Sequence, residues 1–504
     1  MKKYYLYRYI LMPALMICMF TSCKKYINEA PITSTYDSKF WTSQTSVNQA
    51  TLALYKQLRD CFRDQGIDYN YNSYFIFGDL TSGMFLPASR EWNYATITTD
   101  RQYDFSYVPY LEGALKNWSR FYKLIAQANL ILERVPQMPT SLFNNDEKIK
   151  NSYIAEALFM RAYVYFYITR VWGDPVYISR TYNSSDYGNI EPVARTAEAT
   201  VLDSCISDLK KAAGMMDYSH GDPTRAIRAN KGSANALMAH IYAWKHDYVN
   251  AHLACQEVIN NGGYSLEPAA SYKNIWAGQS SSESIFELAM QFNENGNEEN
   301  FDFFQTFLKD NYIDNRLSNC WVASKDYIEY LYDQQNDIRF QNILTHVNAS
   351  GGDKEGYLML KYTGFKYKTP ATEAGPYINN NLVLFRLADI YLLDAEALAM
   401  QDNASAVTPL NIVKQRAGLD PYSGPLDKVS LCNEILEERG RELIGEGQWF
   451  YDMIRTEPVT HALEDWLGYP SDRVAQKGYY WPIDMSALFK TDPLLTQNPW
   501  WASH

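Results

Sequence analysis

Residues 230–263 read NKGSANALMAHIYAWKHDYVNAHLACQEVINNGG and carry the clearest structural signal in the chain of 504 residues. Two apolar stretches flank a short polar turn, His-Asp-Tyr, at residues 246–248. The small, aromatic and apolar positions expected of a tetratricopeptide unit are occupied by Ala239, Tyr242, Ala251 and Val258. Small residues allow two antiparallel helices to approach closely. Because one such helix pair cannot bury its apolar face alone, the stretch predicts that further pairs stack on it.

Apolar residues recur at helical spacing in seven other segments. These segments are 47–63, 117–135, 147–171, 387–399, 405–416, 429–444 and 448–455. In the first of them the apolar stagger is formed by Leu52, Tyr55 and Leu58. Within the third, residues 157–168 contain Arg161 as their one charge, and a helix that is apolar all round has to be buried all round. The chain is therefore predicted to be all-α, a tetratricopeptide-type helical repeat scaffold.

Four long segments lack helical periodicity and predict large irregular loop insertions in this scaffold. They are rich in glycine, asparagine, serine and aromatic residues, and they cover residues 64–111, 175–195, 283–324 and 342–380. Long loops inside a compact domain commonly carry function. Ligand contacts are therefore expected in these insertions.

The first 23 residues have the pattern of a bacterial lipoprotein leader. Basic residues at positions 2, 3 and 8 precede an apolar run over residues 10–20. That run is too short for a membrane helix, which takes about 20 apolar residues, but it suits a secretory signal peptide. Thr21 and Ser22 directly precede Cys23, which predicts cleavage after residue 22 and a lipid anchor on Cys23. Ordinary cleavage near Ser22, with Cys23 unmodified, is the alternative.

Composition narrows the class of partner. The chain has 46 lysines and arginines against 58 aspartates and glutamates, a formal net charge of −12. An acidic protein repels phosphate backbones, so a nucleic-acid partner is not expected. The 41 tyrosines and 12 tryptophans would suit carbohydrate, whose apolar ring faces stack on aromatic side chains. The seven cysteines form no CxxC pair, which argues against a disulfide scaffold or a zinc site and favours small buried apolar residues.

Sequence signatures of catalysis are missing: no HExxH, GxSxG, GxGxxG or P-loop motif occurs, and the seven histidines form no ligand-like cluster. One set of carboxylates suggests an enzyme. Glu438, Glu442 and Glu446 follow one another at four-residue spacing on one predicted helix, and Glu442 and Glu446 could act as general acid and base. We favour the alternative, in which Arg439 and Arg441 pair with these glutamates and join the helix to its neighbour. No enzyme activity, metal or cofactor is therefore expected.

Short motifs occur along the chain in the order typical of one protein family. They include Glu156-Ala157, Arg161-Ala162-Tyr163, Trp172-Gly173-Asp174-Pro175-Val176, Phe385-Arg386-Leu387-Ala388-Asp389, Ala395-Glu396-Ala397, Arg416-Ala417-Gly418-Leu419, Glu438-Arg439, Glu442-Leu443, Glu446-Gly447 and Gln497-Asn498-Pro499. By these motifs the chain resembles the SusD/RagB family of nutrient-binding outer-membrane lipoproteins of Bacteroidetes. It departs from the family pattern at Trp449, where arginine is frequent, at Asp484, where proline is usual, and at Trp500, where glycine is usual.

The resemblance implies a signal peptide at residues 1–22 and a SusD-like domain at 23–504, with an N-terminal part of about 23–230 and a C-terminal RagB/SusD part of about 270–504. It implies an outer-membrane lipoprotein that faces the cell exterior. It also implies a partner, a SusC-type TonB-dependent transporter, over which the protein sits as a lid. Catalysis is not implied. Glycans are the commonest ligands of the family, and peptides or other nutrients are the alternative.

Ligand contacts in this family come from loop residues outside the repeats. The candidates here are Trp92, Arg90, Asn93, Tyr94, Tyr69, Tyr71, Tyr74, Trp276, Tyr312 and Trp321. Trp92 is the first choice, because its polar neighbours place hydrogen-bonding groups beside a stacking plane. Packing within the protein is the competing role for each candidate. Three functional hypotheses stay open: oligosaccharide binding with delivery to the transporter, a mechanical lid with negligible ligand affinity and, remotely, a helical glycoside hydrolase.

Overall fold

The computed structural model of the chain describes residues 40–64, 71–87, 115–182, 190–277, 281–290, 303–304, 307, 321–349, 354–366 and 377–504, apart from residues 223 and 335. The first helices are α1 (Gln44–Phe62), α2 (Ser73–Gly78), α3 (Ser119–Arg134), α4 (Glu147–Trp172), α5 (Glu198–Met215), α6 (Lys231–Trp244) and α7 (Tyr248–Asn261). They are followed by α8 (Lys325–Leu331), α9 (Ile338–Ile343), α10 (Leu387–Met400), α11 (Val407–Arg416), α12 (Lys428–Glu442), α13 (Trp449–Thr460), α14 (Ala462–Leu467), α15 (Ser471–Ala475), α16 (Leu488–Thr491) and α17 (Pro499–Ser503). The predicted fold class, a helical repeat scaffold, is confirmed.

Residues 230–263 form the predicted helix pair, α6 and α7. Asn230 begins α6 with a capping box, in which its side chain and that of Ser233 each accept a backbone N–H of the other residue. His246 has a left-handed backbone (φ 58°) in the turn, and Asp247 caps α7 by accepting the backbone N–H of Asn250. The turn chemistry encoded in residues 246–248 is therefore what reverses the chain.

Further pairs stack on this unit, as the repeat pattern predicts. On one side α7 packs against α10, α10 against α11 and α12, and α12 against α13. On the other side α6 packs against α5, and α5 against α4. The 26-residue helix α4 is buried at every position from Tyr153 to Trp172, between α1, α3 and α5, which is the inner position predicted from its apolar surface.

The observed helix bounds lie close to the predicted ones, but one detail of α1 is wrong. Leu52 was expected on the buried stripe, and it is 45% exposed. The buried face of α1 follows Val47, Thr51, Leu54 and Leu58. Those positions are three or four residues apart and so share one side of a helix, whereas Leu52 points about 100° away from Thr51.

Short strands occur in or beside three of the segments expected to be irregular. These are β1 (Arg63–Asp64), β2 (Tyr71–Asn72), β3 (Phe85–Pro87), β4 (Ser284–Leu288), β5 (Trp321–Ser324), β6 (Leu344–Val347), β7 (Gly356–Met359), β8 (Phe365–Lys366), β9 (Tyr377–Ile378) and β10 (Leu382–Arg386). An antiparallel sheet has the order β3-β5-β7-β6, and β4 pairs with β10, β1 with β2 and β8 with β9. The β4–β10 pair places Arg386 opposite Ser284, next to Glu283.

Within the described ranges, none of the helices combines the length and the apolar character that crossing a bilayer requires. The cysteines found there are buried and form no disulfide; they are Cys61, Cys205, Cys255 and Cys432. The prediction that most cysteines are small buried apolar residues is confirmed for these four. Cys23 and the signal peptide lie outside the described residues.

Candidate functional site

A buried cluster of charges, here called the α12 charge network, surrounds the C-terminal end of α12. Its carboxylates and cations are Glu283, Glu438, Glu442, Glu446, Arg339, Lys361, Arg386 and Arg416. Each of these side chains is at most 6% exposed. Buried charges are tolerated when they are paired and hydrogen-bonded, and every carboxylate here contacts at least one cation.

Arg386 is at the centre of this network. Its Nε and Nη2 atoms each donate to Glu446 over 2.8 Å. Its Nη1 atom donates to Glu283 (2.7 Å) and Glu442 (2.5 Å), and Nη2 also donates to the backbone carbonyl of Glu442 (2.8 Å). A planar guanidinium group with five N–H donors can satisfy several carboxylates at once. The last residue of β10 thereby holds the end of α12.

The α12 charge network bears on the two roles considered for Glu442 and Glu446, an acid–base pair or structural ion pairs. Burial alone would raise the pKa of Glu442, but the guanidinium groups of Arg416, Arg386 and Arg339 hold it well below its usual range. A carboxylate held in this way is unsuited to taking up a proton near neutral pH. The geometry therefore supports a structural role for these glutamates.

Arg439 and Arg441 were predicted to pair with the glutamates of α12, and the structure confirms this for only one of them. Arg441 does pair with Glu438, over 2.8 Å. Arg439 instead binds Asp389 and Asp452, each over 2.9 Å. The reason is helical geometry: consecutive residues point about 100° apart, so Arg439 faces α10 and α13 while Glu438 faces Arg339.

The histidines near the helix pair have structural partners. His240 Nε2 lies 2.8 Å from Asp389 Oδ2, and His252 Nδ1 lies 2.7 Å from Asp394 Oδ1. Both contacts join the α6–α7 pair to α10. Over the part of the chain that the structure describes, no group of three or more His, Cys, Asp or Glu residues is arranged to hold a metal ion.

Three of the predicted ligand residues are buried in the core. Tyr74 is 1% exposed and donates its hydroxyl to the backbone carbonyl of Glu446 (2.9 Å). Trp276 is fully buried, with Lys361 Nζ 4.6 Å from its ring centre. Trp321 is 2% exposed in β5, where it pairs with Pro87. The expectation that these three rings are accessible for stacking on a ligand is therefore corrected: they pack inside the protein.

The other predicted ligand residues stay predictions. Tyr71 lies in β2 opposite Asp64, and nothing is described of its side chain. The remaining candidates, namely Tyr69, Arg90, Trp92, Asn93, Tyr94 and Tyr312, fall outside the described residues. The structure thus brings Tyr74 and Trp276 together around the α12 charge network.

A surface cleft of about 510 Å³, here called the α13 cleft, opens between α5, the α6–α7 turn, α13 and the segment after α13. Its volume falls within the range of small-molecule pockets, about 300–1,000 Å³. Aromatic walls are provided by Trp244 and Tyr479, and carboxylates by Glu198, Glu457 and Glu464. No local motif marks these residues in the sequence, because they are brought together from distant positions by the stacking of the helices.

Glu457 is the most deeply placed carboxylate of the α13 cleft. The residue is 6% exposed, and its Oε2 accepts the backbone N–H of Leu463 over 2.5 Å. His461, in a left-handed conformation (φ 51°), ends α13 and begins α14. Burial raises the pKa of Glu457 to about 7, and the nearby Glu464 and Asp465 act in the same direction, against Leu463 N–H and His461.

We expect Glu457→Gln to change how stability depends on pH. The pKa of Glu457 in the folded protein exceeds its ordinary value of 4.5, so the folded state binds more protons than the unfolded state between those values. Stability from this group is fully present below pH 4.5 and is lost as pH rises through about 7. The Tm of the variant relative to the native protein should therefore rise from pH 4.5 to 7.5 in thermal unfolding scans. The exposed Glu191→Gln is the matched control, and a flat Tm difference for Glu457→Gln would contradict the assignment.

Comparison with known proteins covers nearly the whole chain. A family model described as the SusD family matches residues 244–501, and one described as starch-binding and associating with the outer membrane matches residues 25–243. The SusD-like protein P38 of Formosa agariphila is 25% identical over 517 aligned residues, which cover 95% of each chain. A SusD homolog from Bacteroides thetaiotaomicron superposes with a TM-score of 0.73 at 24% identity, over 91% of this chain and 98% of that one. A structure described as a laminarin-binding SusD-like protein gives 0.69 at 22% identity, over 91% and 99%.

Proposed function

Because the chain belongs to the SusD/RagB family, we propose that it is a non-catalytic binding protein that captures glycans for a SusC-type TonB-dependent outer-membrane transporter. The observation that carries this proposal is that the two family models together cover nearly the whole chain. The two family models meet between residues 243 and 244 and leave no gap over residues 25–501. That junction lies within α6, which packs against both α5 and α7. The proposed N-terminal part (about 23–230) and C-terminal part (about 270–504) are therefore expected to share one scaffold.

Glycan is the favoured ligand class for two reasons. The model that matches the N-terminal half is described as starch-binding, and one of the similar structures is described as laminarin-binding. Both descriptions concern glucose polymers. The aromatic content of the first insertion, where Trp92 and Tyr94 flank Asn93, suits the apolar faces of such sugars. Peptides or other nutrients are the second ligand class, and a mechanical lid without its own ligand is the third hypothesis.

The proposal includes a lipid anchor and an orientation. Cys23, directly after the apolar run of the leader, would carry the acyl chains and hold the protein on the outer membrane, facing the exterior. The model that matches from residue 25 onward is described as associating with the outer membrane, in agreement with an anchor two residues earlier. Between the anchor and α1 lie about twenty residues, enough to connect the folded body to the membrane.

The binding site is proposed to lie in the first insertion rather than in the core. Tyr74, Trp276 and Trp321 are buried, so the remaining candidates of the first insertion are Trp92 with Arg90, Asn93 and Tyr94, together with Tyr69 and Tyr71. Tyr312, in the insertion at residues 283–324, is a candidate outside it. An indole or phenol ring supplies a stacking plane for a sugar ring, and the neighbouring polar side chains supply hydrogen bonds to hydroxyl groups. Several such contacts are needed for useful affinity.

The test is a glycan array probed with the full-length protein in detergent, followed by calorimetry with the best glycan. We expect binding to a glucose polymer with no change in its reducing ends. Trp92→Ala should weaken the affinity by about fivefold, because one aromatic contact contributes about 1 kcal/mol. The double variant with Tyr94→Ala should lose about 25-fold if the two contacts add.

Tyr330→Ala is the matched control, since Tyr330 is 57% exposed on α8 and lies outside the proposed site. Unchanged affinity in both Trp92 variants would move the site away from this insertion. If the protein bound members of a peptide library and no glycan, the ligand class would be peptide instead of glycan. Copurification with a transporter in the absence of any ligand binding would favour the mechanical lid, and release of reducing sugar would favour a hydrolase.

A further inference from the structure

The charged side chains that line the α13 cleft differ in whether they already have a partner of opposite charge. Each cationic lysine or arginine that lines it already has a carboxylate partner. Lys477 pairs with Glu198 (2.5 Å), which also accepts the hydroxyl of Tyr480 (2.6 Å). Lys245 pairs with Asp203 on α5, and Arg455 pairs with Glu396 (2.6 Å). These cations are therefore neutralised before a ligand arrives.

Two carboxylates of the cleft, in contrast, have no cationic lysine or arginine as a partner among the described residues. They are Glu457 and Glu464. Glu457 is 94% removed from solvent within the fold, and its one described side-chain hydrogen bond comes from a neutral group, the backbone N–H of Leu463. A buried carboxylate costs free energy unless a charge or several hydrogen bonds compensate it. Burial raises the pKa of Glu457, as do Glu464 and Asp465, and the N–H of Leu463 and His461 offset this rise only in part.

The walls around the two carboxylates are aromatic and apolar. Trp244 contributes from the end of α6, Tyr479 from the segment after α15, and Ile454 and Pro458 from α13. Aromatic faces attract organic cations through their quadrupole. An anion would meet Glu457 and Glu464 and is disfavoured. A neutral apolar molecule would leave both carboxylates uncompensated.

We infer that the α13 cleft is a second binding site, which takes a small organic cation with an ammonium group. The ammonium group binds Glu457 and Glu464, and the carbon skeleton lies against Trp244 and Tyr479. The site is built from α5, α6, α13 and α14 and shares no residue with the aromatic candidates of the first insertion. It is therefore independent of the proposed glycan site, and either one can fail without the other.

The probe is n-butylammonium, which stays charged at pH 7.5 as a lysine side chain does, and its uncharged counterpart is 1-butanol. Saturation-transfer NMR on the full-length protein in detergent should show butylammonium binding at millimolar Kd and much weaker binding of butanol. Glu457→Gln should raise the Kd for butylammonium about tenfold, which is the loss of one charge-assisted hydrogen bond. The double variant with Glu464→Gln should abolish binding.

Glutamine keeps an oxygen that can accept the N–H of Leu463, so Glu457→Gln preserves the capping contact, and its Tm at pH 4.5 verifies folding. Glu191→Gln, at an exposed glutamate outside the cleft, should bind butylammonium like the native protein. Equal binding of butylammonium and butanol would overturn the inference. So would unchanged butylammonium affinity in the double variant, whatever the outcome of the glycan array.

Discussion

Replacing Arg386 with methionine is expected to lower the free energy of unfolding by about 3–5 kcal/mol. Methionine has a similar length and no charge, so it leaves Glu283, Glu442 and Glu446 buried with fewer cations. The cost of breaking a buried ion pair from one side comes mainly from the charge that stays behind. The total stability of a domain is only about 5–15 kcal/mol, so this single change should be visible as a large shift of the urea midpoint.

Two variants make the Arg386 result specific. Lys56→Met removes a cation from the exposed pair with Asp60 and should change the stability by less than about 1 kcal/mol. Arg386→Lys keeps the charge but loses the fork of donors that reaches Glu446 twice, so an intermediate loss is expected. A midpoint for Arg386→Met equal to that of Lys56→Met would show that the network does not stabilise the fold.

Gly78→Ala is expected to destabilise the protein by about 3 kcal/mol. Gly78, the last residue of α2, lies directly against the backbone of Gly447: an added Cβ would overlap the carbonyl group of Gly447 and come within 2.6 Å of its Cα. Neither side can yield easily. Gly447 has a left-handed backbone (φ 72°), it is covered by the ring of Tyr74, and its N–H donates to Asp79 over 2.8 Å.

Gly214→Ala is the matched control for Gly78→Ala. Gly214 lies inside α5, and an added Cβ would meet nothing within 4 Å. Alanine is favoured over glycine in helices by about 1 kcal/mol, so this variant should be slightly more stable than the native protein. The two glycine-to-alanine changes are thus expected to move the urea midpoint in opposite directions, and a common sign would contradict the packing described for Gly78.

The helices were predictable because their signals are local. Residues 387–399 were predicted as a helix, and α10 is Leu387–Met400; residues 147–171 were predicted, and α4 is Glu147–Trp172. Apolar spacing within about 15 residues suffices for such predictions. The strands were missed because each described strand has only two to five residues, too few for a visible alternation.

The candidate sites were harder to predict because their residues are far apart in the chain. Arg386 and Arg339 reach Glu442 from 56 and 103 positions away, whereas sequence reasoning looked for partners on the same helix. Tyr74 and Trp321 lie in segments without helical periodicity, and Trp276 lies beside one. No local sequence pattern distinguishes an aromatic ring that packs within the protein from one that contacts a ligand. The residues of the α13 cleft are also far apart in the chain: Glu198 lies on α5 and Glu457 on α13.

The hydrogen bonds to the backbone carbonyl of Glu442 affect how α12 unfolds. It accepts from Arg386 (2.8 Å), from Lys361 (3.0 Å) and from the hydroxyl of Tyr272 (3.4 Å). The end of a helix is ordinarily where fraying starts, because its last carbonyls have no partner in the helix. Here three segments remote in the chain supply those partners. The last turn of α12 can therefore unravel only together with those segments, which makes it part of the cooperative unit of the fold.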